Sequence, residues 1–297
     1  MTLTESGTRI QARGILTRGG VGEAPLETEL LLGFALGMER SMLYASLEEV
    51  VPEGSRQTLE SLVQRRLHRE PLAYILGKKE FFGLEFQVCP GVFIPRPETE
   101  TLVEQAVLLV KARFPGGKLL LADIGTGSGA LAVSLAKALP STSLYATDIS
   151  ETALATARAN AAAHGVQDRV TFLQGDLMEP LPGPVDVVVA NLPYVRRENI
   201  AWLEPEISRF EPVEALDGGP DGLDLVRRLL RQGPHHLRAD GAILLELDPE
   251  QMEAASNVAR EVYPGSRIQR MNDLCGRERV LVIQCHANSS ATATSWR

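Results

Sequence analysis

Residues 118–129 read Lys-Leu-Leu-Leu-Ala-Asp-Ile-Gly-Thr-Gly-Ser-Gly, an apolar run that ends in a turn with three glycines. The run predicts a buried strand over Lys118–Asp123, and the residues after it predict a helix over Ala130–Leu139. Glycines between a strand and a helix let a ligand approach the backbone closely, because no Cβ blocks it. The stretch therefore predicts the first βα unit of a ligand-binding domain.

Outward from this unit, apolar runs and helical patterns alternate to the end of the chain. The predicted strands are Ser143–Asp148, Arg169–Gln174, Val185–Ala190, Ala242–Leu247 and Arg279–Gln284. The predicted helices are Ser150–His164 with Ser150 as its cap, Asp221–Gln232 ended by Gly233, and Asp248–Arg260. Such alternation predicts an α/β fold, a largely parallel sheet with helices on both faces.

The rest of the chain predicts three further segments. Residues 1–78 form a small helical domain with helices at Leu26–Leu36 and Arg56–Arg69, the second capped by Ser55, after about 20 weakly patterned residues. Residues 79–97 alternate like a strand and then carry prolines, which indicates a hairpin-like connector. The α/β domain spans 98–285, and 286–297 are a polar tail that we expect to be disordered.

Composition narrows the classes of partner. The 297 residues carry a net charge of −8, which argues against a partner bound mainly through phosphates. Cys89, Cys275 and Cys285 lie far apart without metal-ligand spacing, so we expect reduced thiols and no metal site. No apolar run approaches the ~20 residues that span a bilayer, and no secretion signal is evident. We therefore expect a cytoplasmic protein with no membrane partner.

The spacing of the glycine turn indicates its ligand. Gly125–Gly129 reads Gly-x-Gly-x-Gly, and Asp123 stands just before it. A carboxylate there would repel a pyrophosphate, so the turn favours a cationic, amino-bearing ligand such as S-adenosylmethionine. Asp148 ends the next strand, where it can accept from both ribose hydroxyls. Asp176 and Leu177 follow the third strand, where an adenine would lie, unless they form an ordinary strand-end turn. The cofactor-binding candidates are Asp123, Gly125, Thr126, Gly127, Ser128, Gly129, Asp148, Asp176, Leu177 and Asn191.

Residues 186–194, Asp-Val-Val-Val-Ala-Asn-Leu-Pro-Tyr, carry a second signal. The Asn191 side-chain oxygen and the Leu192 carbonyl, biased toward extended backbone by Pro193, can accept both hydrogens of a planar –NH2 group. Such a pair aims the nitrogen lone pair at a methyl donor and stabilises the positive charge that develops. Tyr194 would pack against the planar group. The predicted catalytic residues are Asn191, Leu192, Pro193 and Tyr194, and the predicted chemistry is methylation of an amide or exocyclic amino nitrogen.

Further motifs flank these two signals. They are Glu70-Pro-Leu-Ala-Tyr-Ile-Leu-Gly77, Glu80-Phe-Phe-Gly-Leu-Glu-Phe86, Ile94-Pro-Arg-Pro-Glu-Thr-Glu100, Asp148-Ile-Ser-Glu-Thr-Ala-Leu154, Gly175-Asp176, and Glu211-Pro212 through Asp221-Gly-Leu223. Over roughly residues 26–284 the chain resembles the glutamine N5-methyltransferases of the PrmC/HemK type, which modify peptide chain release factors. The resemblance implies a Rossmann-like class I S-adenosylmethionine-dependent methyltransferase with a small N-terminal helical domain.

The resemblance also implies a substrate. In this family the target is the glutamine of a Gly-Gly-Gln loop in class I release factors, and the helical domain helps to dock the factor. Phe93 would wall the pocket where methyl and amide meet. Arg96 and Glu98 would orient the loop, unless they form a structural ion pair. The substrate-binding candidates are Phe93, Arg96, Glu98, Asn191, Leu192, Pro193 and Tyr194.

One residue departs from the family pattern, which usually reads Asn-Pro-Pro-Tyr. Leu192 stands in the second place, but the accepting group there is a main-chain carbonyl, so the chemistry survives the change. Asn-Leu-Pro-Tyr also occurs in enzymes that methylate adenine in ribosomal RNA, so an adenine-N6 methyltransferase acting on RNA or DNA is the alternative. Such an enzyme should carry a basic surface. Residues 1–80 instead hold 10 Lys and Arg against 11 Asp and Glu, and we expect no direct nucleic-acid substrate.

Overall fold

The structure, a computed structural model, describes residues 7–38, 42–43 and 51–286. Its contacts divide the chain into two compact units, residues 1–78 with 204–210, and residues 79–203 with 211–297. The polar tail expected to be disordered lies outside the described residues, apart from His286. No helix in the described part of the chain is both long and apolar enough to cross a membrane.

The first unit is built from short helices. They are α1 (Thr8–Arg18), α2 (Ala24–Leu36), α3 (Glu53–Leu67), α4 (Leu72–Leu76) and, from much later in the chain, α8 (Pro205–Ser208). Leu16, Leu31 and Leu59 are fully buried in its core. Two predictions were wrong here. The weakly patterned start contains α1, and α3 begins at Glu53 after Pro52 rather than after Ser55, because proline's fixed φ suits the residue before a helix.

A buried ion-pair network explains why residues 204–210 belong to the first unit. The Arg66 guanidinium donates to Glu27 Oε2 at 2.6 Å and to Glu206 Oε1 at 2.8 Å, and Arg69 donates to Glu206 Oε2 at 2.7 Å. A buried guanidinium needs paired carboxylates, because an unpaired buried charge is strongly destabilising. The sequence predicts this segment as part of the α/β domain. The structure differs because Arg66, the partner of Glu206, lies 140 residues earlier and leaves no local signal in the sequence.

The second unit opens with a two-stranded hairpin, β1 (Lys78–Phe81) and β2 (Leu84–Gln87). Phe82 and Gly83 form its turn, both with positive φ. The rings of Phe81 and Phe86 are buried and meet edge to face with centroids 6.0 Å apart. They belong to the same apolar cluster as the main sheet. The hairpin is therefore packed against the α/β core.

The main sheet has seven strands in the order β5-β4-β3-β6-β7-β9-β8. The strands are β3 (Leu120–Ile124), β4 (Ser143–Asp148), β5 (Val170–Gln174), β6 (Val185–Ala190), β7 (Leu237–Glu246), β8 (Arg267–Asn272) and β9 (Glu278–Gln284). The helices are α5 (Glu100–Arg113), α6 (Ala130–Ala138), α7 (Glu151–Ala163), α9 (Asp224–His236) and α10 (Met252–Val262). Strands β3 to β7 pair in parallel and β9 is antiparallel to its neighbours, which confirms the predicted fold class.

Strand β6 shows why the run of residues 187–190 is apolar without alternation. Val187 and Val189 enter the cluster formed with α5 and α6, whereas Val188 and Ala190 enter the cluster formed with α9 and α10. Successive side chains of a strand point to opposite faces, so a sheet covered on both faces buries every residue. The unbroken apolar run therefore follows from two layers of helices.

Two elements differ from their predicted bounds for physical reasons. Strand β8 was not predicted, because as an edge strand of mostly polar, partly exposed residues it lacks an apolar run. Helix α9 continues through Gly233 and Pro234 to His236. Proline lacks the N–H that would bind the Leu230 carbonyl, and the Tyr263 hydroxyl donates to that carbonyl at 2.9 Å instead. A Cβ on Gly233 would lie 1.7 Å from the same hydroxyl, so this glycine makes room for tyrosine rather than ending the helix.

The strand order determines where loops converge. β4 and β6 lie on either side of β3, and such a reversal of strand order creates a crevice at the carboxyl edge of the sheet. Ile124 pairs with Thr147 on one side and with Ala190 on the other. The next residues in the chain, Gly125, Asp148 and Asn191, therefore leave the sheet side by side.

Candidate active site

The glycine turn has a backbone conformation that L side chains rarely adopt, and it is tightly packed at Gly129. Gly125, Gly127 and Gly129 all have positive φ, and a Cβ on Gly129 would lie 2.9 Å from Ala157 Cβ. The N–H groups of Gly125 and Thr126 donate to the Thr147 carbonyl at 2.9 Å. The turn is thereby fastened to the end of β4, with its glycine backbone open to a ligand.

Asp123 supports this turn from beneath. It is fully buried, and its Oδ2 accepts from Thr126 Oγ1 at 2.6 Å and from Ala132 N at 3.1 Å. Burial raises the pKa of Asp123 to about 7, against the lowering effect of these hydrogen bonds. The other oxygen, Oδ1, is buried without a hydrogen-bond partner among the described residues. The carboxylate thus ties the turn to α6, and its predicted contact with a cofactor stays a prediction.

Asp148 stands at the carboxyl end of β4 beside the turn. Its Oδ2 accepts from Gly127 N and its Oδ1 from Ser150 N, both at 2.9 Å. Ser150 Oγ in turn accepts from Ala153 N, which confirms it as the cap of α7. A carboxylate has about four acceptor positions, so both oxygens of Asp148 keep capacity for ribose hydroxyls. The predicted ribose contact is compatible with this geometry.

The two candidates for the adenine site differ. The Leu177 backbone has a φ of 50° and its carbonyl accepts from Thr147 Oγ1 at 2.8 Å, so this residue is held in place. The Asp176 carboxylate is already paired with the guanidinium of Arg228 on the surface. An adenine amino group would have to share that carboxylate, and the contact remains a prediction.

Several acceptors of the polar turn after β6, Asn191 Oδ1 and the Leu192 carbonyl among them, have no protein donor in the described part of the chain. Asn191 Nδ2 donates to Thr99 Oγ1 at 2.9 Å, which occupies the donor end of the carboxamide. The carbonyls of Tyr194 and Val195 accept from Gln251 Nε2 at 2.8 Å and from Gly218 N at 2.9 Å. No donor among the described residues reaches Asn191 Oδ1 or the Leu192 carbonyl.

The Leu192 side chain joins the two halves of the site. It is 4% exposed, and its Cδ2 lies 3.1 Å from where a Cβ of Gly125 would be. The leucine that replaces the usual proline therefore packs beneath the glycine turn while its carbonyl stays available.

Tyr194 is anchored at its hydroxyl. The O–H donates to Glu246 Oε1 at 3.3 Å, and burial, with the nearby Glu246 charge, raises the pKa of Tyr194 well above its usual value. The hydroxyl is thus held as a donor and is unsuited to act as a base. Glu246 itself is 1% exposed, and burial raises the pKa of its carboxyl.

The connector candidates are organised by a residue from elsewhere in the chain. Glu211 Oε2 accepts from Ile94 N at 3.2 Å, and its Oε1 accepts from the guanidinium of Arg96. The Arg96 guanidinium also lies 4.7 Å from the centre of the Phe93 ring. Arg96 is therefore in an ion pair, but its partner is Glu211 and not the exposed Glu98. Their predicted contacts with a substrate stay predictions.

Comparison with known proteins places this site in a family. A model of the PrmC N-terminal domain matches residues 8–77, and a model of the methyltransferase small domain matches residues 97–203. A release factor glutamine methyltransferase of Moorella thermoacetica is 43% identical over 89% of this chain and 92% of its own length. One from Geobacter sulfurreducens is 43% identical over 81% and 83%. The chain belongs to the release factor glutamine methyltransferase family.

Solved structures agree on the fold alone. A methyltransferase from Pyrococcus furiosus matches with a TM-score of 0.50 and 20% identity, over 68% of this chain and 89% of that one.

Within the described ranges of this family member, no group of three or more His, Cys, Asp or Glu side chains could hold a metal ion. Cys89, Cys275 and Cys285 are free thiols.

Three polar residues of this methyltransferase site were not among the residues predicted from the sequence. Thr99 and Glu211 lie in motifs that carried the resemblance, but nothing in their spacing shows that they contact Asn191 or Arg96. Glu246 had a usable signal, because a carboxylate in the apolar run of β7 must be buried and needs a partner.

Proposed function

We propose that this chain transfers a methyl group from S-adenosylmethionine to the side-chain amide nitrogen, N5, of the glutamine in the Gly-Gly-Gln loop of a class I peptide chain release factor. The observation that carries the proposal is the pair of acceptors, Asn191 Oδ1 and the Leu192 carbonyl, which no described donor reaches. They lie at the end of β6, beside the glycine turn. A primary amide presents two N–H donors from one nitrogen, which matches two acceptors.

The residues around the glycine turn fit the proposed cofactor. The three glycines leave a cradle that side chains would fill, and the Asp148 carboxylate retains acceptor capacity for a ribose. Bound S-adenosylmethionine supplies an electrophilic methyl group on a positively charged sulfur. The Asp148 carboxylate, beside the turn, adds negative charge that favours a cationic ligand.

The acceptors orient and polarise the substrate nitrogen. Accepting both N–H groups fixes the amide plane and favours a nitrogen lone pair directed out of conjugation, toward the methyl donor. The same two dipoles stabilise the positive charge that the nitrogen gains as it is alkylated. The alkylated nitrogen then loses one proton readily to water, so the site needs no strong base. This agrees with the anchored, donating hydroxyl of Tyr194.

The family relationship supports glutamine as the target over a nucleic-acid base. Relatives from bacteria and one from Homo sapiens carry the name of release factor glutamine methyltransferase. We infer a release factor as the protein partner. Since such factors work on the ribosome, we also propose that the enzyme acts in the cytoplasm.

The decisive test is incubation with a release factor and methyl-labelled S-adenosylmethionine, followed by peptide mapping. We expect label on the Gly-Gly-Gln peptide, and label on RNA or DNA alone would favour the adenine alternative. Asn191→Ala should abolish transfer while calorimetry shows cofactor binding retained, because the proposal assigns the Asn191 side-chain oxygen to the substrate amide. The exposed Asn199→Ala is the matched control and should transfer normally. Wholesale loss of cofactor affinity in Asn191→Ala would contradict the role given to Asn191.

A further inference from the structure

Thr99 holds the donor end of the Asn191 carboxamide. It is 4% exposed, and its Oγ1 accepts from Asn191 Nδ2 at 2.9 Å. Its own N–H donates to the Arg96 carbonyl at 3.1 Å, in the short turn that leads into α5. The hydroxyl is therefore fixed in place by the backbone of the connector.

The direction of this hydrogen bond matters, because a carboxamide has two nearly isosteric ends. One end accepts and the other donates, and a flip about the last bond exchanges them. With its oxygen toward the crevice, Asn191 can accept from a substrate –NH2 group. With its nitrogen there, two donors would face each other and the substrate amide would be repelled.

The Thr99 hydroxyl decides which end of the carboxamide faces it. Thr99 Oγ1 accepts from Asn191 Nδ2 at 2.9 Å. A hydroxyl oxygen has two acceptor lone pairs, so it satisfies the donor end of the carboxamide and leaves Asn191 Oδ1 for another donor. No donor among the described residues reaches that oxygen.

We propose that Thr99 is a positioning residue whose hydroxyl oxygen accepts from Asn191 Nδ2 and so holds the carboxamide with its own oxygen toward the substrate nitrogen. The inference rests on the proposed function, because it assigns the acceptor end of Asn191 to the substrate amide. It extends the site from the turn after β6 to Thr99, in the short turn before α5, a residue that need not touch the substrate.

The test compares two substitutions at Thr99. Thr99→Val keeps the shape of the side chain and removes the hydroxyl, whereas Thr99→Ser keeps the hydroxyl. One hydrogen bond is worth about 1 kcal/mol, so Thr99→Val should lower kcat about 5-fold or more. Its Kd for S-adenosylmethionine should stay within about 2-fold of the wild type, and Thr99→Ser should recover most of kcat. Thr101→Val, a buried threonine two residues on, is the control and should have wild-type kcat.

A second readout separates this inference from the proposed function. In NMR spectra the side-chain amide signals of Asn191 should shift and exchange faster with water in Thr99→Val, but not in Thr99→Ser. Failure of the wild type to label a release factor would refute the proposed function, and the amide signals would still test Thr99. Wild-type kcat with unchanged amide signals in Thr99→Val, or equal losses of kcat in Thr99→Val and Thr99→Ser, would overturn the inference.

Discussion

The Arg96–Glu211 pair offers the sharpest test of how the connector is held. The Glu211 side chain is 1% exposed and that of Arg96 is 27% exposed, so the two partners are not equivalent. In Arg96→Met the buried carboxylate keeps only the Ile94 N–H as a described partner. Removing one partner of a buried pair costs ~3–5 kcal/mol. Because Arg96 is partly hydrated, we expect the lower end, a loss of about 3 kcal/mol in the free energy of unfolding.

The reciprocal variant should cost less. Glu211→Gln keeps an oxygen that can accept from Ile94 N, and the freed guanidinium of Arg96 can turn to water, so we expect a loss of ~1–2 kcal/mol. The double variant removes the stranded charge altogether. Its loss should therefore be smaller than the sum of the single losses by about 2 kcal/mol.

Urea unfolding followed by circular dichroism measures these free energies. Burial raises the pKa of the Glu211 carboxyl and Arg96 lowers it. Without Arg96 the folded-state pKa rises further above the unfolded value. The contribution of this carboxyl to the free energy of unfolding is then fully present below its pKa in the unfolded state. It is lost as the pH rises through its pKa in the folded state. The penalty of Arg96→Met should accordingly be larger at pH 8 than at pH 5. Single losses that add within ~0.5 kcal/mol, with no pH effect, would refute a buried ion pair.

Two further predictions concern the cofactor side. Asp148→Ala should weaken S-adenosylmethionine binding by ~2–4 kcal/mol, or about 30- to 1000-fold in the Kd measured by calorimetry, because two hydrogen bonds to a charged group are lost. Asp148→Asn should lose less affinity. Unchanged affinity in Asp148→Ala would contradict the ribose contact. Asp123 has a folded pKa of about 7 against an ordinary 3.8, so its contribution to stability is present below pH ~4 and is lost as pH rises through 7. The slope is about 1.4 kcal/mol per pH unit between these values. Urea unfolding should show a smaller loss from pH 5 to pH 7 in Asp123→Asn than in the wild type, and equal losses would count against the raised pKa.

What the sequence predicted depended on how local each signal was. The strand ends at Asp148 and Ala190 were predicted correctly, because an apolar run and the residue that ends it are adjacent in the chain. Since parallel strands end at one edge of a sheet, the convergence of the glycine turn, Asp148 and Asn191 followed from their order. Helix α9 was predicted too short. Pro234 cannot donate to the Leu230 carbonyl, and the Tyr263 hydroxyl that donates instead lies 33 residues after Leu230 in the chain.

The site was predicted less completely for the same reason. The residues that present atoms toward the crevice come from motifs at strand ends. The residues that hold them, Thr99, Glu211 and Glu246, act across separations of 52 to 115 residues. Arg96 was recognised as a candidate for an ion pair, but the nearest acid in sequence, Glu98, proved not to be its partner. Only packing determines which buried carboxylate meets which guanidinium.

The network around Arg66 has a consequence for the order of folding during synthesis. Glu27 precedes Arg66 in the chain, so the nascent helical unit can form half of the network early. Glu206 follows Arg66 by 140 residues, which at ~5–20 residues per second delays its arrival by on the order of 10 s. During that interval the Arg66 guanidinium, which is buried in the folded protein, lacks the Glu206 carboxylate as its second partner. The helical unit can therefore reach its final stability only after the ribosome has translated the strands β3 to β6 and the turn that carries Asn191.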